Sequence, residues 1–257
     1  KDFIRSADLF IAHNGSVDAS YVMPYVSDFM AANNYGTVQW VTLKDPSMTW
    51  NTPEGAKALS REVAGWLIAA DPANRTYYEG RLNEYLAQID AADLTAEEKK
   101  VIAGQDVVVM IWQQDAAEKW LGLHTVSVFA PEFYQRGQFV PRAVVNDIYN
   151  NPDKYRNVRY VIENMQSGEM AKGLEEALHD QKIGAKRVIF TNFPKSLPGV
   201  ESLPDVLRYN KKLVMPPAQE TASPAAPTAQ PTTVPFPALI LPVALGVAMV
   251  LAGRVRR

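Results

Sequence analysis

Apolar and polar positions along residues 1–215 fall into short apolar runs that alternate with amphipathic stretches at helical spacing. The runs at 8–12, 38–42, 107–111, 126–129, 160–162 and 187–191 predict strands. Most are continuously apolar, the pattern of parallel strands covered on both faces. Between them, residues 21–32, 53–70, 73–91, 116–121, 141–150, 171–180 and 203–213 predict helices. Thr52-Pro53-Glu54 marks one helix start with an N-cap, a proline at the first helical position and an early acid. Asp71-Pro72 marks the next in the same way. In that next stretch Tyr77, Tyr78, Leu82, Tyr85, Leu86 and Ile89 recur mainly at three- and four-residue spacing. It lies mid-chain with strands on both sides, so it reads as a long rigid helix bridging two lobes. The whole predicts an α/β fold with mostly parallel sheets: an N-terminal lobe over 1–72, a linking helix over 73–92 and a C-terminal lobe over 93–215.

Beyond residue 215 the pattern changes. Residues 216–235, PPAQETASPAAPTAQPTTVP, cannot bury enough apolar surface to offset their ordering entropy and predict a disordered, semi-extended stalk. Residues 236–253, FPALILPVALGVAMVLAG, carry no charge and predict a transmembrane helix near the lower limit of length. Pro237 falls in its first turn, where a missing N–H costs little, and Pro242 would kink it modestly. Arg254, Arg256 and Arg257 follow at once, which puts the C-terminus in the cytoplasm and the body on the outer face of the cell membrane. An external body needs an export signal. Lys1 opens none, so the chain reads as a piece of a longer precursor with structure before it.

Composition narrows the chemistry. A net charge of -2 argues against a nucleic-acid partner, and the lack of cysteine removes disulfides, thiolate metal ligands and thiol nucleophiles. There is no Gly-rich phosphate loop, no G-x-S-x-G and no paired-His motif, so no enzyme is expected. Polar residues instead collect just after four predicted strands, where α/β layers form their crevices. His13 and Asn14 end the first; Gln113, Gln114 and Asp115 follow the third, with Trp112 able to stack on a ligand. Glu163, Asn164 and Gln166 follow the fifth, and Asn192 the sixth. Met48 and Trp50 add a soft and aromatic wall. A polar cleft lined by His13, Asn14, Met48, Trp50, Gln114, Asp115, Glu163, Gln166 and Asn192 is the expectation. Two bland roles compete: His13 as a hydrogen-bonded structural residue, and Asp115 as a helix cap. His124 and His179 read as solvated, and Asn14 and Asn74 head short glycosylation sequons.

Five stretches carry a family resemblance: ADLFIAHNG; the run from Asp45 to Asp90; QDAAEKWLGL; YVIENMQSGEMAKGL; and ESLPDVLRYNKKLV. Together they resemble the zinc- and manganese-type solute-binding proteins of ABC importers, two α/β lobes joined by one rigid helix. The resemblance implies a receptor that captures a transition-metal ion or metal complex and delivers it to permease and ATPase subunits. It also implies an ion held by three His and one carboxylate, and here the sequence departs. Ser47-Met48-Thr49-Trp50, Gln113-Gln114-Asp115 and Asn192-Phe193 stand where two of the His and the acid belong, so a usual metal site is not expected. The tail VPFPALILPVALGV…RVRR resembles archaeal C-terminal sorting signals, in which a sorting enzyme removes the tail. A second function stays open beside import: a surface-anchored interaction module that kept the fold and lost transport.

Overall fold

The computed structural model describes residues 2–7, 9–13, 15, 18–36 and 40–216. The expected stalk (apart from Pro216) and membrane segment lie outside the described residues, as do Asn14 and parts of the first two predicted strands. Among the described residues, no helix is long and apolar enough to cross a membrane.

Short α1 (Asp2–Arg5) precedes β1 (Phe10–Ala12), which pairs in parallel with β2 (Trp40–Thr42). Helix α2 (Met23–Ala32) lies between them in sequence. Then come α3 (Pro53–Ala70), α4 (Arg75–Ala92) and α5 (Ala96–Ile102). The second sheet is built from β3 (Asp106–Met110), β4 (His124–Phe129), β5 (Val158–Asn164) and β6 (Lys186–Phe190), in the order β4-β3-β5-β6 with every pairing parallel. Helices α6 (Pro141–Asn150), α7 (Pro152–Tyr155), α8 (Lys172–Asp180) and α9 (Leu203–Val214) complete the crossovers and the end of the described chain. The expectation of an α/β fold with parallel sheets holds.

Both faces of the second sheet are covered, and the alternation of strand side chains sets what each meets. Val107, Val109 and Ile162 pack with Ile89 and Ala92 of α4, Ile102 of α5 and Leu207 of α9. Val108, Met110 and Val161 pack with Val144 and Ile148 of α6 and Leu174 and Leu178 of α8. This is why β3 reads as an unbroken apolar run. The first two predicted strands differ: β1 and β2 pair only with each other among the described residues, and Ile11 stays half exposed.

Three local expectations change. Residues 116–121 make only a π-helical turn, Ala116–Trp120. Asp71 does not cap α4; its carboxylate accepts from the Asn74 side chain and the Tyr78 hydroxyl. Helix α5 was not expected, although Thr95 and Glu98 form a complete capping box at its start.

The end of α6 is pinned to α7 by Asp147, which accepts from Lys154 Nζ at 2.6 Å, Asn151 Nδ2 at 2.6 Å and the Tyr155 hydroxyl at 2.5 Å. Led by the Lys154 hydrogen bond, these donors hold its carboxyl down at about 2 from an ordinary 3.8. A lowered pKa stabilises the fold above 3.8, and that contribution is lost as pH falls from there towards 2. Asp147→Asn should therefore be less stable than the parent at neutral pH, and the gap should close through this window in urea unfolding curves.

Candidate functional site

The segment between β2 and α3 reaches the carboxyl ends of the second sheet. Thr52 caps α3 by accepting from the Gly55 N–H at 3.1 Å, and Pro53 takes the first helical position. At Gly55 a Cβ would overlap the Thr49 carbonyl oxygen, so only glycine lets the chain fold back this tightly. That close passage sets residues 49–51 against the loops that follow β3 and β6.

Five hydrogen bonds fix them there. Thr49 Oγ1 donates to Asp115 at 3.1 Å, and Trp50 Nε1 donates to the Asn192 carbonyl at 2.9 Å. Asn51 Nδ2 lies within bonding distance of three acceptors: the Trp112 carbonyl at 3.2 Å, Gln113 Oε1 at 3.0 Å and Asn192 Oδ1 at 2.9 Å. Gln113 Nε2 in turn donates to Asn164 Oδ1 at 2.9 Å and Asn192 Oδ1 at 2.8 Å. Asn164 Nδ2 donates to Ser167 Oγ at 3.0 Å. Asn51, Gln113 and Asn164 are buried. The result is a network of four side-chain amides, one from the segment before α3 and three from strand ends. Its one unsatisfied buried atom is Asn51 Oδ1.

The expected site residues divide. His13 stands edge-on to Trp50, ring centroids 5.3 Å apart, and Trp50 also meets the half-exposed Phe193 at 6.0 Å. His13, Trp50 and Asn192 are thus brought together around the network. Met48 and Asp115 line a separate cavity of about 580 Å³ beside it, with Thr49, Glu54, Asp93 and Lys119. Asp115 does not cap the following turn; it accepts from Thr49 and from Lys119 Nζ at 2.8 Å, and that bond raises the Lys119 pKa. Gln114 turns away to Glu118 on its own turn, and Gln166 is exposed and reaches Thr191. Glu163 is a correction. It is fully buried, accepting from the Ala171 N–H at 2.9 Å and from Arg187 Nε at 2.6 Å, so it braces β5 against β6 and α8 and offers a ligand nothing. The reason is alternation: Glu163 and Asn164 point to opposite faces, and Asn164 turns to the network.

Asn51 escaped the sequence reading, yet it had a signal. It immediately precedes an N-cap, where an apolar residue usually staples onto the helix, and a polar side chain there needs partners elsewhere. Gln113, not its neighbour Gln114, enters the network, a choice that the short 3-10 turn Ile111–Gln113 makes and spacing alone does not reveal.

What can this arrangement do? Amides donate and accept hydrogen bonds but carry no charge with which to replace the hydration of a transition-metal ion. Among the described residues, no three His, Cys, Asp or Glu side chains converge as metal ligands.

The profile of the zinc-uptake complex component A, periplasmic (ZnuA), matches residues 3–212. The chain belongs to that family. It is a family of extracytoplasmic metal-binding proteins, not of enzymes. Solved structures share the fold at low identity. The Mn-bound periplasmic metal binding protein from Candidatus Liberibacter asiaticus is 15% identical, with TM-score 0.59 over 82% of this chain and 80% of that one. Its Cd-bound form gives 15% and 0.58 over 82% and 80%. The laminin-binding protein Lbp of Streptococcus pyogenes is 16% identical, with TM-score 0.56 over 81% of this chain and 80% of that one. No curated protein matches.

The network makes a stability prediction. Asn51→Ala leaves Gln113 Oε1 without its donor in a buried place and should cost about 2 kcal/mol. Gly55→Ala should cost about 1–3 kcal/mol through the clash with Thr49. Because both loosen residues 49–51, the double variant should cost less than the sum, measured by chemical unfolding.

Proposed function

We propose that the chain is the solute-binding subunit of an ABC importer, with lobes over 1–72 and 93–215 joined by the helix 73–92. It captures a transition metal as a complex, not as a bare ion, and hands it to permease and ATPase subunits. The observation that carries this reading is the amide network itself. Side chains from the segment before α3 and from the ends of β3, β5 and β6 meet at one point, where closure of a hinged receptor would bring them. Family membership supports the metal, as do the Mn-bound and Cd-bound neighbours. The neutral donors support a ligated form whose outer groups are hydrogen-bonded.

The second reading, a surface interaction module without transport, draws on one feature. Apart from Asn51 Oδ1, the buried amides satisfy one another, so residues 49–51 stay fixed with no ion between them. A structural neighbour is a protein named for laminin binding. In either case we place the body outside the cell, tethered by residues 236–253 through the stalk, or by a lipid if a sorting enzyme removes the tail.

Calorimetry with Zn²⁺ and Mn²⁺ should give no binding tighter than about micromolar. Native mass spectrometry of protein purified from its own cells should find a co-purified metal complex. Sub-micromolar binding of a bare ion overturns the complex reading, and a mass with no added solute moves the balance to the interaction module. Separately, the full chain should stay with membranes through an alkaline wash, while a chain ending at Pro216 should be released.

A further inference from the structure

The two ends of a parallel sheet are chemically different, and the site uses only the carboxyl end. At the amino end lies a shallow bowl of about 630 Å³ among the loops that precede β3, β5 and β6. Arg156 and Arg159 line it, both exposed and, among the described residues, without an ionic or hydrogen-bonded partner. The carboxylate in the lining, Asp106, is engaged by His124 Nδ1 at 2.7 Å. Lys186 begins β6 at the register position beside Tyr160, one residue from Arg159, and is exposed with no partner among the described residues. Asp153 on α7 is the nearest acid in sequence and lies outside the lining. A chain with net charge -2 therefore carries a local positive pole.

The direction of α9 gives that pole a context. Asn210 clasps Thr191 at the carboxyl end of β6, donating to its carbonyl at 2.8 Å and accepting from its N–H at 2.9 Å. Four residues later the Val214 carbonyl accepts from the Tyr160 hydroxyl, and Tyr160 pairs with Val107 and Lys186 near the amino ends. The described chain thus ends while heading from the site towards the bowl.

We propose that the bowl is a docking surface for the phosphate of an anionic membrane lipid, seated between Arg156 and Arg159. Guanidinium groups suit this role because their planar donors match phosphate oxygens in pairs. Docking turns the amino pole to the bilayer and leaves the amide network facing away from it, a resting pose that the body leaves when it delivers solute to a permease. The proposal rests on the tether reading only for proximity: on that reading the stalk over 216–235 would keep the body within reach of headgroups.

The test uses the full chain, whose lack of cysteine permits single fluorescent labels at Ala103→Cys, exposed beside the bowl and outside its lining, and Glu132→Cys beyond β4. The protein is reconstituted in vesicles of phosphatidylcholine, or of phosphatidylcholine with a minority of phosphatidylglycerol, each carrying a headgroup quencher. Quenching of the Ala103 label should rise only in the anionic vesicles and fall with salt, while the Glu132 label stays bright. Arg156→Gln with Arg159→Gln should weaken the response by about fivefold per arginine. Equal quenching in both vesicles, no quenching in either, or indifference to the double variant overturns the proposal. So does calorimetric binding of inorganic phosphate without any anionic-vesicle response, which would make the bowl a site for a soluble anion. Flotation with pure phosphatidylcholine vesicles reads the tether alone, so its failure is distinguishable from failure of the bowl.

Discussion

The side-chain amide of Asn51 is the constraint on which the site depends. It is buried, it reaches the Trp112 carbonyl and the side chains of Gln113 and Asn192, and it comes from the segment that leads into α3. Its placement rests on two backbone features: the Thr52 cap of α3, and a glycine at 55 that lets the Thr49 carbonyl pass within what would be side-chain volume. Thr49 and Trp50 then find Asp115 and Asn192 on the far side. Buried polar groups hold position only when they are paired, so these contacts specify one arrangement of the segment.

Neutrality is the second consequence. An ion held between two parts of a protein binds them through charge, and its loss frees them. Amides bind them through short, directional bonds that need no ligand and do not titrate. A family frame built for metal capture therefore carries a junction of a different physical kind here. On the reading we propose, that junction makes a bare ion a poor cargo and favours a hydrogen-bonded solute. The rings of Trp50 and Phe193 beside it add apolar surface.

The parallel sheet also separates tasks in space. Carboxyl ends of β3, β5 and β6 gather the amides; the loops before the same strands present Arg156 and Arg159. Glu163, which the sequence reading placed at the site, belongs to neither end: with Arg187 it locks β5 to β6 within the sheet. With the guanidinium alongside and the Ala171 N–H on its other oxygen, the buried carboxylate is held as structure.

Much of the fold was legible because its signals are local. Continuous apolar runs gave β3 and β6, and the Thr-Pro-Glu start gave α3. Two clear local signals were passed over, the Thr95–Glu98 box that starts α5 and the Ser202–Asp205 box that starts α9. The polar character of the site was legible too, since strand-end positions and residue types are both written in the chain. Which member of each polar cluster enters was decided only by tertiary structure. Gln113 and not Gln114, Asn164 and not Glu163, and the unremarked Asn51 were chosen by strand alternation, by a single 3-10 turn and by the fold-back at Gly55. Sequence order determines what a side chain can bond; only packing between distant segments determines which partner stands within 3 Å of it.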